Sequence, residues 1–295
     1  MNIQKITILI VAFKEPKTIG RAIESFLNQN IKEKYELVVS APDKETQEVV
    51  KKYKKIKLLK DPGKGKSYAL NLALKKIKGS IIILTDGDVY VSENSVNEVI
   101  EKFRDSKIGC VTGRPVPMED KSTKYGYWAN ILFYSAHRLR KILQQEGKFF
   151  QCSGYLYAFR NNVITSFPLD VADDAIIPHL FSSKGYKIAY AEKAFVFVKN
   201  VNNWKDWANQ KVRTSKSHER IDKYIDTKQS PKTKTFFNEL KGIFFILSHP
   251  QNIRESFWTL QLIFARLYMW IKVFLDVHIK KRYYNDNWGR VESTK

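Results

Sequence analysis

The chain has 295 residues, 43% of them hydrophobic and 13% aromatic, which excludes a largely disordered chain and allows one large domain or one domain with an appendage. Lysine and arginine number 51 against 30 aspartates and glutamates, and the formal charge of +21 indicates an anionic partner such as nucleic acid, an acidic membrane or a phosphorylated substrate. The two cysteines, Cys110 and Cys152, exclude a disulfide framework and a cysteine-based zinc site, and they fit a reducing cytoplasm.

Buried strands alternate with helices from residue 6 to residue 111. The first strand follows residues 1–5 directly, so we expect no signal peptide before it. Continuous apolar runs rich in β-branched residues indicate strands, and segments with one apolar face indicate helices. We expect strands at 6–13, 36–40, 56–59, 81–84 and 108–111, and helices at 19–26, 46–53, 69–77 and 95–103. This alternation predicts a doubly wound, mostly parallel α/β sheet with helices on both faces.

The pattern changes after Pro117. The elements expected there are helices at 125–145, 174–181 and 204–220, strands at 153–159, 188–190 and 194–198, and two apolar helices at 236–247 and 257–277. The segment 226–234 is rich in lysine, threonine, glutamine, serine and proline, which is typical of a linker. We therefore predict one domain over 1–225 and a C-terminal helical region over 226–295.

The apolar strand at 81–84 leads into two aspartates, Asp86 and Asp88, separated by one glycine. Open α/β sheets bind ligands at the carboxyl ends of their strands. The two negative charges repel unless a cation lies between them, and carboxylate oxygens suit Mg²⁺ or Mn²⁺. The alternative interpretation is a solvated Asp-Gly turn after the strand.

The loop 61–66 contains two glycines and two lysines, Lys64 and Lys66. Its backbone amides are suited to a phosphate, with one of the lysines supplying charge. The spacing is not that of a P-loop, and a G-x-G-x-x-G motif is absent, so a dinucleotide site is not expected. The alternative is an ordinary helix entry with solvated lysines.

Several segments, taken in order, resemble the family 2 glycosyltransferases of the GT-A fold, and their membrane-associated members in particular. The family motifs concerned are P-x-Y-N-E, G-K-G-x-x-x-A-L-N, D-x-D, G-R, G-x-x-x-x-F-R, E-D with a following glycine, and Q-x-x-R. The matching segments are 11–15, 61–71, 86–88, 113–115, 153–160, 172–174 with 185–187, and 210–213. Each match is weak alone, but together they span about residues 4–220 in one order.

The resemblance implies an inverting transfer of a sugar from a UDP- or GDP-linked donor to an acceptor hydroxyl, with Mn²⁺ or Mg²⁺ as cofactor. By this resemblance Asp88 ligates the metal, Asp86 holds the ribose or helps with the metal, and Asp174 is the general base. The further residues implied for the nucleotide sugar are Ala12, Phe13, Glu15, Asp43, Lys66, Asp173, Gln210 and Arg213. Without the resemblance, the Asp173-Asp174 pair is a helix N-cap and the 210–213 segment is a solvated helix face.

The sequence departs from the family pattern at two places and offers one additional candidate residue. An aspartate pair usually follows the family's second strand, whereas only Asp43 stands near it here, so the nucleotide base stays open. Thr214 replaces the tryptophan that follows Q-x-x-R, which argues against processive synthesis. His218 lies one turn beyond and within reach of the metal or diphosphate, although a single histidine on a helix face more often has neither role.

The helix predicted at 257–277 has an apolar half and a polar half. The apolar half contains Phe257, Leu260, Ile263, Phe264, Leu267, Tyr268, Trp270, Ile271, Phe274 and Leu275, and the polar half contains Gln261, Arg266, Lys272 and Asp276. Three charges make a membrane-crossing helix costly, so we expect a helix that lies in the membrane interface. The alternative is a helix packed on the first domain.

These features predict a cytoplasmic enzyme that is peripheral on the inner face of the cell membrane, on an anionic surface. The residues 288–294 in the basic tail resemble the C-terminal segments of membrane-bound family members. The acceptor is expected to be a glycan or a lipid-linked molecule, and a lipid would lie next to Tyr127, Trp128 and Phe133.

Two other functions are compatible with parts of the sequence. A nucleotidylyltransferase of similar fold would also use a metal and two acids, but it should carry a glycine-rich basic signature after the first strand, where residues 13–16 have none. A nucleic-acid-binding protein would explain the positive charge. Its lysines should cluster in one stripe with aromatics, whereas here they are spread along every helix, so no nucleic acid is expected.

Overall fold

The computed structural model describes residues 3, 5–226, 230–285 and 294. These residues form an eight-stranded sheet in the order β3-β2-β1-β4-β7-β6-β8-β5. The strands are β1 (Ile6–Val11), β2 (Tyr35–Ala41), β3 (Ile56–Lys60), β4 (Ile81–Asp86), β5 (Tyr90–Val91), β6 (Ile108–Pro117), β7 (Leu156–Arg160) and β8 (Lys187–Val198).

The helices follow the predicted order. They are α1 (Ile19–Leu27), α2 (Lys44–Val50), α3 (Lys66–Leu74), α4 (Ser95–Lys102), α5 (Lys124–Gln145), α6 (Asp173–Ser182), α7 (Trp204–Lys216), α8 (Phe236–Lys241), α9 (Ile243–Leu247) and α10 (Ile253–Phe274). A 3₁₀ turn covers Ile221–Lys223, and a π-helical turn, Leu275–Ile279, continues α10.

Strands β3, β2, β1 and β4 are parallel, and their register brings their carboxyl ends to one edge. Val11 at the end of β1 lies opposite Ser40 of β2 and Asp86 of β4. Alternate residues of β1 point to opposite faces of the sheet. Ile8 and Ile10 pack in one core with α1 and α4, and Leu9 and Val11 pack in the other with α3 and α6. Helices therefore cover both faces, and the prediction of an α/β fold is confirmed.

The other half of the sheet is mixed rather than parallel. Strand β7 pairs antiparallel with both β4 and β6, β6 pairs parallel with β8, and β5 pairs antiparallel with β8. The strands expected at 188–190 and 194–198 form one strand, β8, and the two-residue β5 has no recognisable sequence pattern. The reversal matters because it brings the start of β7, with Leu156 opposite Thr85, to the carboxyl end of β4.

The C-terminal helix α10 packs on α5 and α7 along one stripe. The Tyr127 hydroxyl lies 2.7 Å from the Thr259 hydroxyl, and the indole N–H of Trp128 donates to the Trp258 carbonyl at 2.8 Å. The helix predicted at 236–247 is interrupted at Gly242, which separates α8 from α9. Within the described parts of the chain, no helix combines the length and apolarity needed to cross a membrane.

The proposed division near residue 225 stays a prediction. Beyond it, Ser230 is buried, and its hydroxyl lies 2.9 Å from Nδ1 of His179 in α6. Thr233 donates to the Gln151 side chain at 2.8 Å. The described part of the predicted linker therefore contacts the first domain. The family-like tail at 288–294 lies, except for Thr294, outside the described residues.

Candidate active site

The two aspartates after β4 lie against the end of β1 because the residue between them is glycine. The Gly87 amide donates to the Val11 carbonyl at 3.1 Å. A Cβ atom at Gly87 would lie 2.3 Å from Oε2 of Glu15 and 2.7 Å from Cβ of Ala12. Only glycine permits this approach, which brings Asp86 and Asp88 next to Ala12 and Glu15 of the predicted nucleotide pocket.

Lys66, the first residue of α3, joins the end of β4 to the start of α6. Its ammonium lies 2.8 Å from Oδ1 of Asp86 and 3.4 Å from Oδ2 of Asp173. Gly65 before it has a φ of +108°, a conformation that favours glycine. Burial alone would lower the pKa of Lys66, but the charges of Asp173 and Asp86 outweigh it and raise that pKa well above its usual value. Lys66 is therefore a fixed cation at the centre of the site.

Asp174 has a proton affinity suited to a general base. Burial and the charge of Asp173 raise the pKa of Asp174 to about 6. A Cβ atom at Gly154 would lie 2.9 Å from Oδ2 of Asp174, so that glycine leaves room for the carboxylate. Asp173 is held differently, because the buried Tyr157 hydroxyl donates to its Oδ2 at 2.5 Å. One carboxylate of the pair is thus fixed by a tyrosine and a lysine, and the other adjoins Gly154.

The Asp86–Asp88 pair fits a divalent cation that also binds phosphate. Burial and then the charge of Asp88 raise the pKa of Asp86, although Lys66 acts in the opposite direction. Among the described residues, no group of three or more histidine, cysteine, aspartate and glutamate side chains could hold a metal ion. Mg²⁺ and Mn²⁺ do not require such a cage, because one or two carboxylates, water and substrate phosphates usually suffice. Asp86 and Asp88 therefore fit a cation of this kind, and the metal site stays a prediction.

Asp43 lies beside the predicted nucleotide pocket but uses both carboxylate oxygens locally. It accepts from the amide of Thr46 at 2.9 Å, which caps α2, and from the amide of Lys14 at 2.7 Å. Burial alone would raise the pKa of Asp43, but these amide hydrogen bonds lower it. Asp43 therefore fixes the segment around Phe13 and Lys14, and its role in reading the base stays a prediction.

Asp61 is a second acidic residue at this edge, and the predicted site set does not include it. It accepts from the Ser40 hydroxyl at 3.0 Å and from the Gly63 amide at 2.9 Å, and burial raises its pKa. Asp61 could have been predicted from its position directly after β3, since β3 ends at the same edge of the sheet as β1 and β2.

The structure locates the two predicted diphosphate residues on α7. The guanidinium of Arg213 lies 5.9 Å from the Tyr284 ring centroid, and the Gln210 carbonyl accepts from the Thr214 hydroxyl at 2.8 Å. These contacts involve α7 and the C-terminal segment. The role of Gln210 and Arg213 at the diphosphate stays a prediction.

Tyr155 is a phenol that the Asp86–Asp88 pair and Asp174 influence together. Burial, followed by the charges of Asp88, Asp86 and Asp174, raises the pKa of Tyr155. All three carboxylates therefore act on one phenol. Sequence analysis singled out neither Tyr155 nor Tyr157, although Gly154 followed by alternating aromatic residues was a possible signal.

Three solved glycosyltransferases share the fold. A mannosyltransferase from Pyrobaculum calidifontis, in complex with GDP-Man and Mn²⁺, covers 96% of this chain and 83% of its own at 19% identity and a TM-score of 0.64. TarS 1–349 of S. aureus, with UDP-GlcNAc, covers 96% and 93% at 14% identity and a TM-score of 0.52. Glucosyl-3-phosphoglycerate synthase from Mycobacterium tuberculosis, with Mn²⁺, UDP and phosphoglyceric acid, covers 76% and 80% at 17% identity and a TM-score of 0.53. At these identities the likeness establishes the GT-A-like fold.

Sequence comparison establishes the family. The poly-β-1,6-N-acetyl-D-glucosamine synthase of Staphylococcus aureus strain COL is 24% identical over 208 residues, which are 67% of this chain and 50% of that protein. The chain thus spans about half the length of the relatives it matches. The family model "Glycosyltransferase like family 2" matches residues 4–217. The resemblance drawn from the motifs is confirmed, and the chain belongs to glycosyltransferase family 2.

Proposed function

We propose that this glycosyltransferase is metal-dependent and inverting, and that it transfers a sugar from a UDP- or GDP-linked donor to an acceptor hydroxyl. The observation that carries the proposal is Lys66, whose ammonium contacts both Asp86 after β4 and Asp173 beside Asp174. A phosphate site and a candidate base thereby adjoin each other. The solved neighbours that bind GDP-Man and UDP-GlcNAc support a nucleotide-sugar donor.

Each charged group has a role in this reaction. Asp174 takes the proton of the acceptor hydroxyl as its oxygen attacks the anomeric carbon. Asp173 is held beside Asp174 by Tyr157 and Lys66, and its charge raises the pKa of Asp174. Asp86 and Asp88 hold Mn²⁺ or Mg²⁺, which when bound supplies positive charge for the departing diphosphate.

The donor would be held by residues from both ends of the first domain. Ala12, Phe13, Glu15 and Asp43 line the nucleoside pocket, and Lys66 orients the phosphates. Gln210 and Arg213 approach the diphosphate from α7.

The membrane part of the proposal rests on the outer surface of α8, α9 and α10, which we call the apolar face. Phe244, Phe237 and Phe264 are 78%, 73% and 62% exposed. The polar half of α10 instead makes contacts within the protein, such as Arg266 Nε to Glu239 Oε2 at 3.0 Å. Exposed aromatics on a strongly basic protein suit an anionic membrane surface, so we place the enzyme on the inner face of the membrane with a glycan or lipid-linked acceptor.

The central test compares transfer or slow hydrolysis of UDP-GlcNAc and GDP-Man with Mn²⁺ in wild type, Asp88→Ala and Asp174→Asn. We expect Asp88→Ala to lose about 10² to 10³ in rate, because charge stabilisation at the leaving group is removed. Asp174→Asn should lose about 10² to 10⁴ in transfer, as expected for a missing general base. Asp105→Asn serves as the matched control, because this exposed aspartate lies just before β6, at the edge of the sheet away from the candidate site. Wild-type rates in both site variants would contradict the proposal.

A further inference from the structure

A cationic cluster lies between α7, α10 and the segment before α8. It consists of Lys211, Lys234 and Arg266, with Glu239 as its acidic member. The Arg266 guanidinium donates to both carboxylate oxygens of Glu239, with Nε 3.0 Å from Oε2. The indole N–H of Trp270 also donates to Oε2 at 2.9 Å. The single carboxylate is thus already engaged by Arg266 and Trp270.

The acidic charges that act on the two lysines of the cluster are those of Glu239 and, for Lys234, Asp174. In the described ranges 3, 5–226, 230–285 and 294, neither Lys211 nor Lys234 forms an ion pair or hydrogen bond. Burial and the charges of Arg266 and Lys211 lower the pKa of Lys234 to about 7. Burial and Arg266 likewise lower the pKa of Lys211 to about 8. Unpaired cations held together in a partly buried place are costly, and a bound anion would remove that cost.

The charge of Lys234 acts on the candidate base, Asp174. Asp174 and Lys234 influence each other, since each charge shifts the pKa of the other in the direction that favours both ions. His218 is 7% exposed, and its Nδ1 has no hydrogen-bond partner among the described residues. The charge of Lys234 acts on His218 as well, so this buried nitrogen belongs to the same region. An unsatisfied buried ring nitrogen next to lysines without an ion pair indicates a missing polar ligand.

We propose that Lys211, Lys234 and Arg266, together with His218, bind a phosphate group on the acceptor and thereby position its hydroxyl at Asp174. This inference rests on the proposed function, because it concerns the acceptor of that reaction. A phosphate carries up to two charges and several acceptor oxygens, which match two lysines without an ion pair and an imidazole, while Arg266, whose fork holds Glu239, adds positive charge beside them. Arg266 also lies on α10, whose outer side belongs to the apolar face. The cluster could therefore bind a soluble phosphate or a phosphate whose apolar tail lies along the apolar face.

The test measures binding without turnover, by calorimetry with sn-glycerol 3-phosphate, octyl phosphate and 1-octanol. We expect both phosphates to bind, with affinity that falls as salt rises. Lys211→Met and Lys234→Met should each weaken phosphate binding about tenfold, as expected for loss of one charged hydrogen bond. Lys234→Arg keeps the positive charge and should retain phosphate binding. This variant tests the role of the charge even if Lys234→Met folds poorly. Lys241→Met, an exposed lysine of α8, is the matched control.

The probes distinguish the source of the phosphate. Equal affinity for glycerol phosphate and octyl phosphate supports a soluble phosphorylated acceptor, and a large preference for octyl phosphate supports a lipid phosphate. Wild-type affinity in both methionine variants, or octanol binding as tight as octyl phosphate, would overturn the inference.

Thermal shifts with UDP-GlcNAc and GDP-Man plus Mn²⁺, run on the same samples, separate this inference from the proposed function. If a nucleotide sugar binds and the phosphates do not, the acceptor-phosphate site fails alone. If the phosphates bind and neither nucleotide sugar does, the donor assignment fails, and with it the role of the cluster in an acceptor.

Discussion

At the scale of single residues, two glycines determine where the acidic groups of the site lie. Gly87 lets the D-x-D turn approach Glu15, and Gly154 leaves the space beside Asp174. In both places the nearest atoms belong to functional candidates. Small residues here are therefore expected to control activity more than stability.

Gly154→Ala should lower transfer at least about tenfold while changing the melting temperature little. The new Cβ would lie 2.9 Å from Oδ2 of Asp174, and a flexible carboxylate can move away at low cost but then leaves its catalytic position. Measuring kcat and melting temperature on the same preparations checks this.

Gly147→Ala is the matched control for that substitution, with the opposite expected signature. Its φ of +65° favours glycine and no atom lies within 4 Å, so alanine should cost about 1 kcal/mol of stability without loss of rate. Full activity in Gly154→Ala would show that Asp174 does not depend on this space.

The pH dependence of the reaction follows from Asp174. Its pKa of about 6 means that the base is ionised above that pH and protonated below it. We expect kcat/KM to fall about tenfold for each pH unit below about 6, because only the carboxylate accepts a proton. A pH–rate profile of wild type and of Asp174→Glu should show this limb, and the residual activity of Asp174→Asn should lack it.

Stability should change with pH in the opposite sense. A carboxyl whose pKa is raised by folding contributes stability below its unfolded pKa and loses it as pH rises through about 6. Asp174→Asn should therefore raise the melting temperature relative to wild type at pH 7.5 and not at pH 4. A constant difference across this range would argue against a raised pKa.

At the scale of elements, local patterns predicted what depends on local physics. Strands β1 and β4 and the buried face of α1 are apolar runs or periodic stripes, and the structure has them within a few residues of their predicted bounds. Asp86 and Asp88 were identifiable for the same reason, since a strand end fixes where they lie. The two-residue β5 owes its pairing to β8, which lies about a hundred residues further along the chain.

The segment before α8 shows what sequence patterns cannot supply. Lysine, threonine and proline at 226–234 are typical of a linker, yet Ser230 is buried and Lys234 lies near Asp174. The position of Ser230 comes from its contact with His179 of α6, which lies 51 residues earlier in the chain. Helix α10 is a second example, because its bulkiest side chains are not the ones that pack against the protein. Its buried stripe includes Thr259, Leu262, Ala265 and Met269.

The apolar face of α8–α10 leads to a prediction about membranes. Phe237→Ser, Phe244→Ser and Phe264→Ser combined should weaken binding to vesicles containing phosphatidylglycerol by roughly tenfold or more, since each phenyl group loses part of its transfer free energy. Vesicle co-sedimentation, repeated with phosphatidylcholine and at high salt, separates the apolar contribution from the electrostatic one.

Tyr35→Ser with Leu169→Ser is the matched control, because both side chains are exposed but lie outside the apolar face. Binding that is unchanged in the triple variant, or a stable dimer in solution with no vesicle binding, would contradict the membrane assignment.

At the scale of the whole molecule, the site lies where two blocks of the sheet meet. The parallel block β3-β2-β1-β4 supplies the D-x-D turn and the nucleoside side, and β7 leads to Asp173 and Asp174. Lys66 then bridges the two blocks with one side chain. Composition alone linked the net charge to any anion, whereas the structure concentrates three of the cations in the cluster around Lys234.

The antiparallel insertion of β7 also bears on how the chain is made. Strand β7 separates β4 from β6 in the sheet but follows both in the sequence, after the 22 residues of α5. A nascent polypeptide that has left the ribosome only through α5 therefore contains β4 and β6 without the strand that pairs with both, and an open strand edge invites wrong pairing. Synthesis must pass residue 160 before those two edges can close, so a ribosome that stalls earlier would release an incomplete sheet.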